Sequence, residues 1–366
     1  MKKLSVIGIG KLGLCFSLTL EKNGYDVVGV DINDDYVESL NDKTFESDEE
    51  GVNESLACST NFRATTSLEE ALAHSNILFI VVATPSLPDG RYDHSQVEGL
   101  VKNLENHGYN NETKDFVVCC TTMPGYCDSI SQRLEDLNYR VSYNPEFIAQ
   151  GTILRDQENP DMVLIGEADI EAGDLLEEIY SAHTRSNPRI CRMSPLEAEI
   201  TKISLNCFLT TKIAFANMIG DIAITSGADP DVILEAIGSD SRIGNKYLRY
   251  GFGYGGPCFP RDNRALAMYA SDIGCPSLIS QASDESNVLH LQEQIRNFVQ
   301  HNDIDDPVVF DRVSYKPEST MLVESQELLF AVRLAQLGYN VTIQERASVI
   351  EELQNTYGDL FNYEER

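Results

Sequence analysis

The chain has 366 residues, more than one hydrophobic core usually serves, so two or three domains are expected. Hydrophobic residues make up 42% of a chain whose 58 acidic and 28 basic side chains leave a formal charge of -30, which disfavours nucleic acid and anionic membranes as partners. No local basic patch offsets that charge, no apolar run is long enough to cross a bilayer, and nothing resembles a signal peptide, so a soluble cytoplasmic protein is expected. The nine cysteines lack paired CxxC spacing, which predicts reduced thiols with neither a zinc site nor a disulfide framework. The acidity fits a high-salt habitat or simple solubility, and the second reading is preferred slightly.

In chain order, an apolar strand from Leu4 runs into Gly8-Ile9-Gly10-Lys11-Leu12-Gly13, a helical stretch from Leu14 to about Asn23, and a second strand ending at Asp31. Gly8 permits the tight turn, Gly10 the approach of a pyrophosphate, and Gly13 close helix packing. Asp31 can accept both ribose hydroxyls and repels a 2′-phosphate, so NAD is the expected cofactor. A glycine-rich turn without a ligand is the minority alternative. Strands at 76–82, 116–120 and 140–143, separated by helical stretches such as 67–73, predict a Rossmann-like doubly wound parallel sheet. Three polar clusters fall at carboxyl strand ends: Thr84-Pro85, Thr121-Thr122-Met123-Pro124 and Asn144-Pro145-Glu146-Phe147. Each alone reads as turn chemistry, but their coincidence at the ligand crevice of such a sheet favours function.

A long helix is predicted from Ser194 to Ser226, with Lys202, Asn206 and Glu199 on one face. Its apolar residues run around the whole circumference, as burial in a subunit interface would explain. Next comes Gly251 to Asp262, where Gly255 and Gly256 pave a turn that delivers Cys258 to a helix start marked by Pro260. A thiol there feels the positive helix end and Arg261, both of which favour thiolate. A buried, unreactive cysteine is the commoner fate of any one cysteine, and the flanking residues are what argue for a nucleophile. From about Asn287 the sequence predicts a small α/β domain: a helix to His301, a strand at 307–310, a helix at 324–338 and a strand at 340–343. The acidic end, residues 362–366, reads as frayed.

These motifs, together with Arg242-Ile243-Gly244 and Lys316-Pro317, resemble the UDP-glucose/GDP-mannose dehydrogenase family from residue 1 to about 345. The resemblance implies a Rossmann NAD-binding domain (1–190), a central long-helix dimerisation and cysteine domain (191–286) and a shortened C-terminal nucleotide-sugar-binding α/β domain (287–366) in a homodimer. It also implies four-electron oxidation of the C6 alcohol of a nucleotide hexose, with two NAD and one water. Cys-Phe-Pro and Asn-Pro-Glu-Phe look most like the UDP-glucose branch. By the same resemblance Cys258 forms a thiohemiacetal and then a thioester, Lys202 stabilises the oxyanion, and Asn206 positions it. Asp262 relays a proton through a water ordered by Thr122, and Glu146 assists proton movement during hydrolysis. Thr84, Thr122, Gln150 and Arg261 join the glycines and Asp31 as cofactor contacts. Glu146, Lys202, Asn206, Arg242 (from a neighbouring subunit), Tyr254, Gly255 and Lys316 contact the substrate. No metal site is implied.

The chain departs from the family at Gln150, where a glutamate is usual, at Val323, where an arginine precedes Glu324-Ser325, and in its short third domain. Those departures motivate a second reading, a catalytically weakened nucleotide-sugar-binding or regulatory subunit. A third, a two-electron hydroxy-acid dehydrogenase, would have no use for Cys258.

Overall fold

A computed structural model describes residues 2–148, 151–316 and 319–366. It divides into two compact units, 1–202 and 203–366.

The first unit is built on an eight-stranded sheet of order β3-β2-β1-β4-β5-β6-β7-β8. The strands are β1 (Lys3–Ile7), β2 (Asp26–Val30), β3 (Phe62–Thr65), β4 (Ile77–Ile80), β5 (Lys114–Val118), β6 (Tyr139–Tyr143), β7 (Met162–Gly166) and β8 (Arg189–Met193). Near-continuous apolar strands such as Val27-Val28-Gly29-Val30 are what a sheet covered on both faces requires. Leu4 and Val6 of β1 enter one apolar core with Phe16 and Phe79, and Ile7 enters the other with Val28, Leu78 and Phe116. The expected doubly wound parallel sheet is present with one amendment, since β6 and β7 pair antiparallel at Tyr143 and Gly166. Strand order reverses between β1 and β4, on either side of the first glycine turn, where such folds open a ligand crevice.

The helix Pro195–Thr225 contains the division between the units. At 31 residues it is, by length and composition, apolar enough to cross a bilayer, which corrects the expectation that no such run exists. Its apolar surround has another physical use, because buried Glu199, Lys202, Thr210 and Asn217 interrupt it and hydrogen-bond within the protein.

The second unit continues through helices Pro230–Gly238, Phe259–Asp272 and Leu278–His301. The last begins nine residues before the Asn287 start read from sequence. The unit closes on a three-stranded parallel sheet, β11-β10-β9, from β9 (Val308–Phe310), β10 (Val341–Glu345) and β11 (Asn362–Glu365). The acidic end is therefore not frayed: Asn362 to Glu365 pair in register with Thr342 to Glu345. Backbone bonding and the burial of Phe361 hold it in place, while exposed acidic side chains suit an edge strand.

Candidate functional site

In the first unit β1 ends in a turn through Gly8 that feeds the helix Lys11–Lys22. Gly8 has φ +90°, and a Cβ there would lie 2.8 Å from the Val81 carbonyl oxygen. At Gly13 it would lie 2.0 Å from the Gly8 carbonyl oxygen, so both glycines serve backbone packing. Gly10 differs. It is the N-cap residue of the helix, no side chain caps it, and a Cβ would meet nothing within 4 Å. An open backbone at the positive end of a twelve-residue helix is a cradle for a diphosphate. Asp31 follows β2 and accepts a hydrogen bond from the Asn33 amide at 3.2 Å, beside Ile32, which is 96% exposed. A carboxylate for ribose hydroxyls and an open glycine for phosphates fit NAD. Tyr36 adds a stake not legible in the sequence, donating its hydroxyl to the Ile9 carbonyl at 2.7 Å.

The three polar clusters lie beyond the ends of β4, β5 and β6. Thr84 is buried and donates to the Thr121 carbonyl at 2.8 Å. Thr122 is fully buried and donates to Glu199 Oε1 at 2.8 Å. The same carboxylate accepts the Gly125 amide at 2.6 Å and the Cys127 amide at 2.9 Å, at the start of the helix Tyr126–Leu134. Burial holds Glu199 above the usual carboxylate range, and three donors hold its oxygens in place. The Tyr180 hydroxyl lies 2.7 Å from Asn144 Oδ1 and 3.2 Å from Glu146 Oε1. Although Glu146 keeps some exposed surface, desolvation of its carboxyl group pushes it up to about 7, against the smaller opposing effects of Tyr180 and Lys202. Lys202 is buried, donates to the Glu146 carbonyl at 2.5 Å and stands 4.3 Å from the centre of the Phe147 ring. Gln150 lies outside the described residues.

In the second unit Cys258 is exposed and is the N-cap residue of the helix Phe259–Asp272, with Pro260 in the first turn. The Asp262 amide donates to its carbonyl at 2.8 Å. The Asp262 side chain is buried, and Oδ2 accepts from Asn206 Nδ2 at 2.7 Å. Arg261 Nε lies 3.5 Å from Asp262 Oδ1. Cys207, one residue beyond Asn206, shows the opposite fate for a thiol: it is buried, and desolvation pushes it up to about 12. Gly255 and Gly256 pave the turn as expected, but the protein itself makes the close approach. A Cβ at Gly255 would lie 2.2 Å from the Glu324 carbonyl oxygen, and one at Gly256 would lie 2.6 Å from the Tyr315 ring. The Tyr254 ring is buried, with its hydroxyl 3.3 Å from Asp284. Arg242 is exposed and forks onto Asp240, while Lys316 Nζ stands 5.8 Å from the Tyr315 ring centre.

With this arrangement in view, comparison with family models matches residues 2–184 to the NAD-binding domain of UDP-glucose/GDP-mannose dehydrogenases and 196–288 to their central domain. The chain belongs to the UDP-glucose/GDP-mannose dehydrogenase family. It is 31% identical to a UDP-glucose 6-dehydrogenase of Haloferax volcanii, over 93% of this chain and 82% of that protein. It is 30% identical to a GDP-mannose 6-dehydrogenase of Pseudomonas aeruginosa, over 94% of this chain and 80% of the relative. Among solved structures, a UDP-glucose dehydrogenase from Pyrobaculum islandicum superposes with a TM-score of 0.89 at 30% identity, covering all of this chain and 86% of the other. As a member of this dehydrogenase family the protein uses NAD, and the open glycine cradle is the feature of its first unit that fits that cofactor.

Within the first unit the fold brings Glu146 together with Lys202, and Thr122 with Glu199. Within the second it brings Asn206 to Asp262, and Asp262 to the Cys258 backbone. Tyr180 and Tyr36 escaped the sequence reading. An Asn at a strand end was visible, but its partner lies 36 positions away on a helix with no motif of its own.

Proposed function

We propose that this dehydrogenase oxidises the C6 alcohol of a nucleotide hexose to the carboxylate, with UDP-glucose as the substrate and UDP-glucuronate as the product. The observation that carries the reading is Cys258. It is an exposed thiol at a helix N-terminus, four residues before a buried carboxylate already oriented by Asn206. NAD, held at Gly10 and Asp31, would supply the hydride acceptor for each of two oxidations. In the first, the C6 alcohol loses a hydride and a proton to become an aldehyde. An aldehyde is a poor hydride donor until a nucleophile adds, and the Cys258 thiolate supplies one, forming a thiohemiacetal. Loss of a second hydride and the hydroxyl proton leaves a thioester, which water cleaves to the acid and the regenerated thiol.

Lys202, a buried cation one helical turn before Asn206, stabilises negative charge developing on oxygen, and Asn206 holds the charged group in position. Asp262 relays protons through a water ordered by Thr122. Glu146, held near neutrality by burial, takes and returns a proton during hydrolysis. Asp31 and Gly10 hold the cofactor, with Gly8, Gly13, Thr84, Thr122, Gln150 and Arg261 supporting them. Tyr254, Gly255, Lys316 and a neighbouring subunit's copy of Arg242 hold the sugar nucleotide. Residues 1–190, 191–286 and 287–366 serve as cofactor, central and sugar-nucleotide domains of a cytoplasmic homodimer. Support for the dimer is the exposed Phe208, Phe215, Met218 and Ile222, which share one side of the long helix.

The choice of sugar is tested by initial rates with UDP-glucose and GDP-mannose. A kcat/KM at least a hundredfold higher for UDP-glucose is expected, and a preference for GDP-mannose would move the protein to the other branch named by its relatives. A weakened binding subunit is the second reading, favoured by exposed Val323 where the family carries arginine. NADH formation by the purified chain removes that alternative.

A further inference from the structure

The seven residues before Cys258 carry no catalytic chemistry of their own, yet the fold fixes the backbone of three of them, Gly251, Tyr254 and Gly256. Gly251 is held from both sides. Its amide donates to Asn217 Oδ1 at 3.1 Å, and its carbonyl oxygen faces His290 Nε2 at 2.8 Å and accepts from Gln294 Nε2 at 3.2 Å. Asn287 then clamps Tyr254 by both backbone groups. Its Oδ1 accepts the Tyr254 amide at 2.9 Å and its Nδ2 donates to the Tyr254 carbonyl at 2.9 Å. At Gly256 the amide donates to the Val323 carbonyl at 2.9 Å, and the next fixed point is the helix that Cys258 caps.

The clamp is buried and paired. Asn217, Asn287 and His290 are all buried, and a buried amide that satisfies both backbone groups of one residue is a strong positional constraint. His290 contributes more than shape. Its Nδ1 lies 2.8 Å from Asp221 Oδ2, and its Nε2 faces the Gly251 oxygen, so each ring nitrogen confronts an acceptor. A neutral ring donates from one nitrogen only, whereas the doubly protonated ring donates to both. Tyr250 completes the surround, with its hydroxyl 3.2 Å from Asp221 Oδ1 and its ring edge-on to the imidazole at 5.5 Å.

We propose that His290, oriented by Asp221, and Asn287 are positioning residues that set the Cys258 nucleophile by fixing the backbone from Gly251 to Tyr254. None of them touches the reacting atoms. The proposal rests on Cys258 being the nucleophile, and it adds that the thiol's placement is supplied by two helices, Pro195–Thr225 and Leu278–His301, through a polar clamp within the second unit.

The test compares His290→Leu, His290→Gln and Asn287→Asp in the full-length protein. Hydrogen–deuterium exchange of the peptide 251–258 is measured beside steady-state kcat and KM for UDP-glucose. His290→Leu and Asn287→Asp are expected to speed exchange in that peptide at least tenfold, with exchange across β1 to β6 unchanged. They should lower kcat at least tenfold, by more than any rise in KM. His290→Gln keeps one donor for the Gly251 carbonyl and should recover part of the lost kcat. Unchanged kcat in folded His290→Leu overturns the proposal whether or not exchange accelerates. Should that variant not fold, Asn287→Asp, which keeps the side chain's shape, decides by the same readouts. If Cys258→Ser completes the oxidation, the nucleophile reading fails instead, while exchange in the clamp variants still reports what holds the loop.

Discussion

At Gly10 an added methyl would meet nothing within 4 Å, whereas at Gly255 it would lie 2.2 Å from the backbone oxygen of Glu324. Both glycines sit in turns that precede helices, and both invite a close approach, but only at the first is the space that a Cβ would take left open. In the second turn, the backbone of Glu324 and Ser325 fills the space beside Gly255 and the Tyr315 ring that beside Gly256, and Arg264 reinforces it with a fork onto Glu324 at 2.7 and 2.9 Å. A glycine in a sequence announces that something comes near the backbone. Whether that something is a cofactor or the protein depends on residues 60 or more positions away.

The contrast can be broken most forcefully at Gly255. Gly255→Ala drives a methyl into a backbone oxygen that has no rotamer to escape through, and a loss of about 3 kcal/mol is expected in urea denaturation. Gly10→Ala should change stability by less than about 1 kcal/mol. It should weaken NAD at least tenfold in calorimetry, because the methyl occupies the approach of the phosphates. Equal destabilisation by the two would abolish the distinction between the turns.

Glu199→Gln comes next. An amide nitrogen replaces one of two oxygens that together accept three donors, so one buried donor loses its acceptor, at a cost of about 2 kcal/mol. Thermal melting at equal pH measures it.

Glu146 gives a smaller, pH-dependent effect. Its folded value is raised, from 4.5 to about 7, so the native state binds the proton more tightly than the unfolded chain does. Its contribution is therefore fully present below about pH 4.5, declines as pH rises through about 7, and is constant above. The span is on the order of 1 to 2 kcal/mol, since the residue keeps some exposed surface. Denaturation of Glu146→Gln at pH 5 and pH 7.5 should lack that slope. The smallest effect is expected from Arg264→Ala, about 1 kcal/mol, because the fork onto Glu324 is partly exposed.

How much of this was legible varies with the range of the interactions. The first strand, glycine turn, helix and acid-bearing second strand could be read directly, because each signal is local and apolar. β3, with Phe62-Arg63-Ala64-Thr65, and β8, with Arg189 and Arg192 in a five-residue run, escaped because short strands carrying charge lack a periodic pattern. β11 looked like a frayed acidic end, since edge pairing is made by backbone that side-chain identity does not advertise. At the candidate site the motif residues were visible by type. The pairings that hold them were not: Glu199 was visible beside Lys202 but not as the partner of Thr122, 77 positions away, and His290 reaches Asp221 across 69. Such partners are set by how strands and helices assemble, and a single sequence shows them only as ordinary helical residues.

The central claim is that one thiol carries the second oxidation. The most direct measurement is the NADH formed per UDP-glucose consumed, by absorbance with limiting sugar and excess NAD, for wild type and Cys258→Ser. Two NADH per sugar from the wild type, with the variant unable to complete the reaction, is the result the account predicts. Two NADH per sugar from Cys258→Ser at an undiminished rate would contradict it.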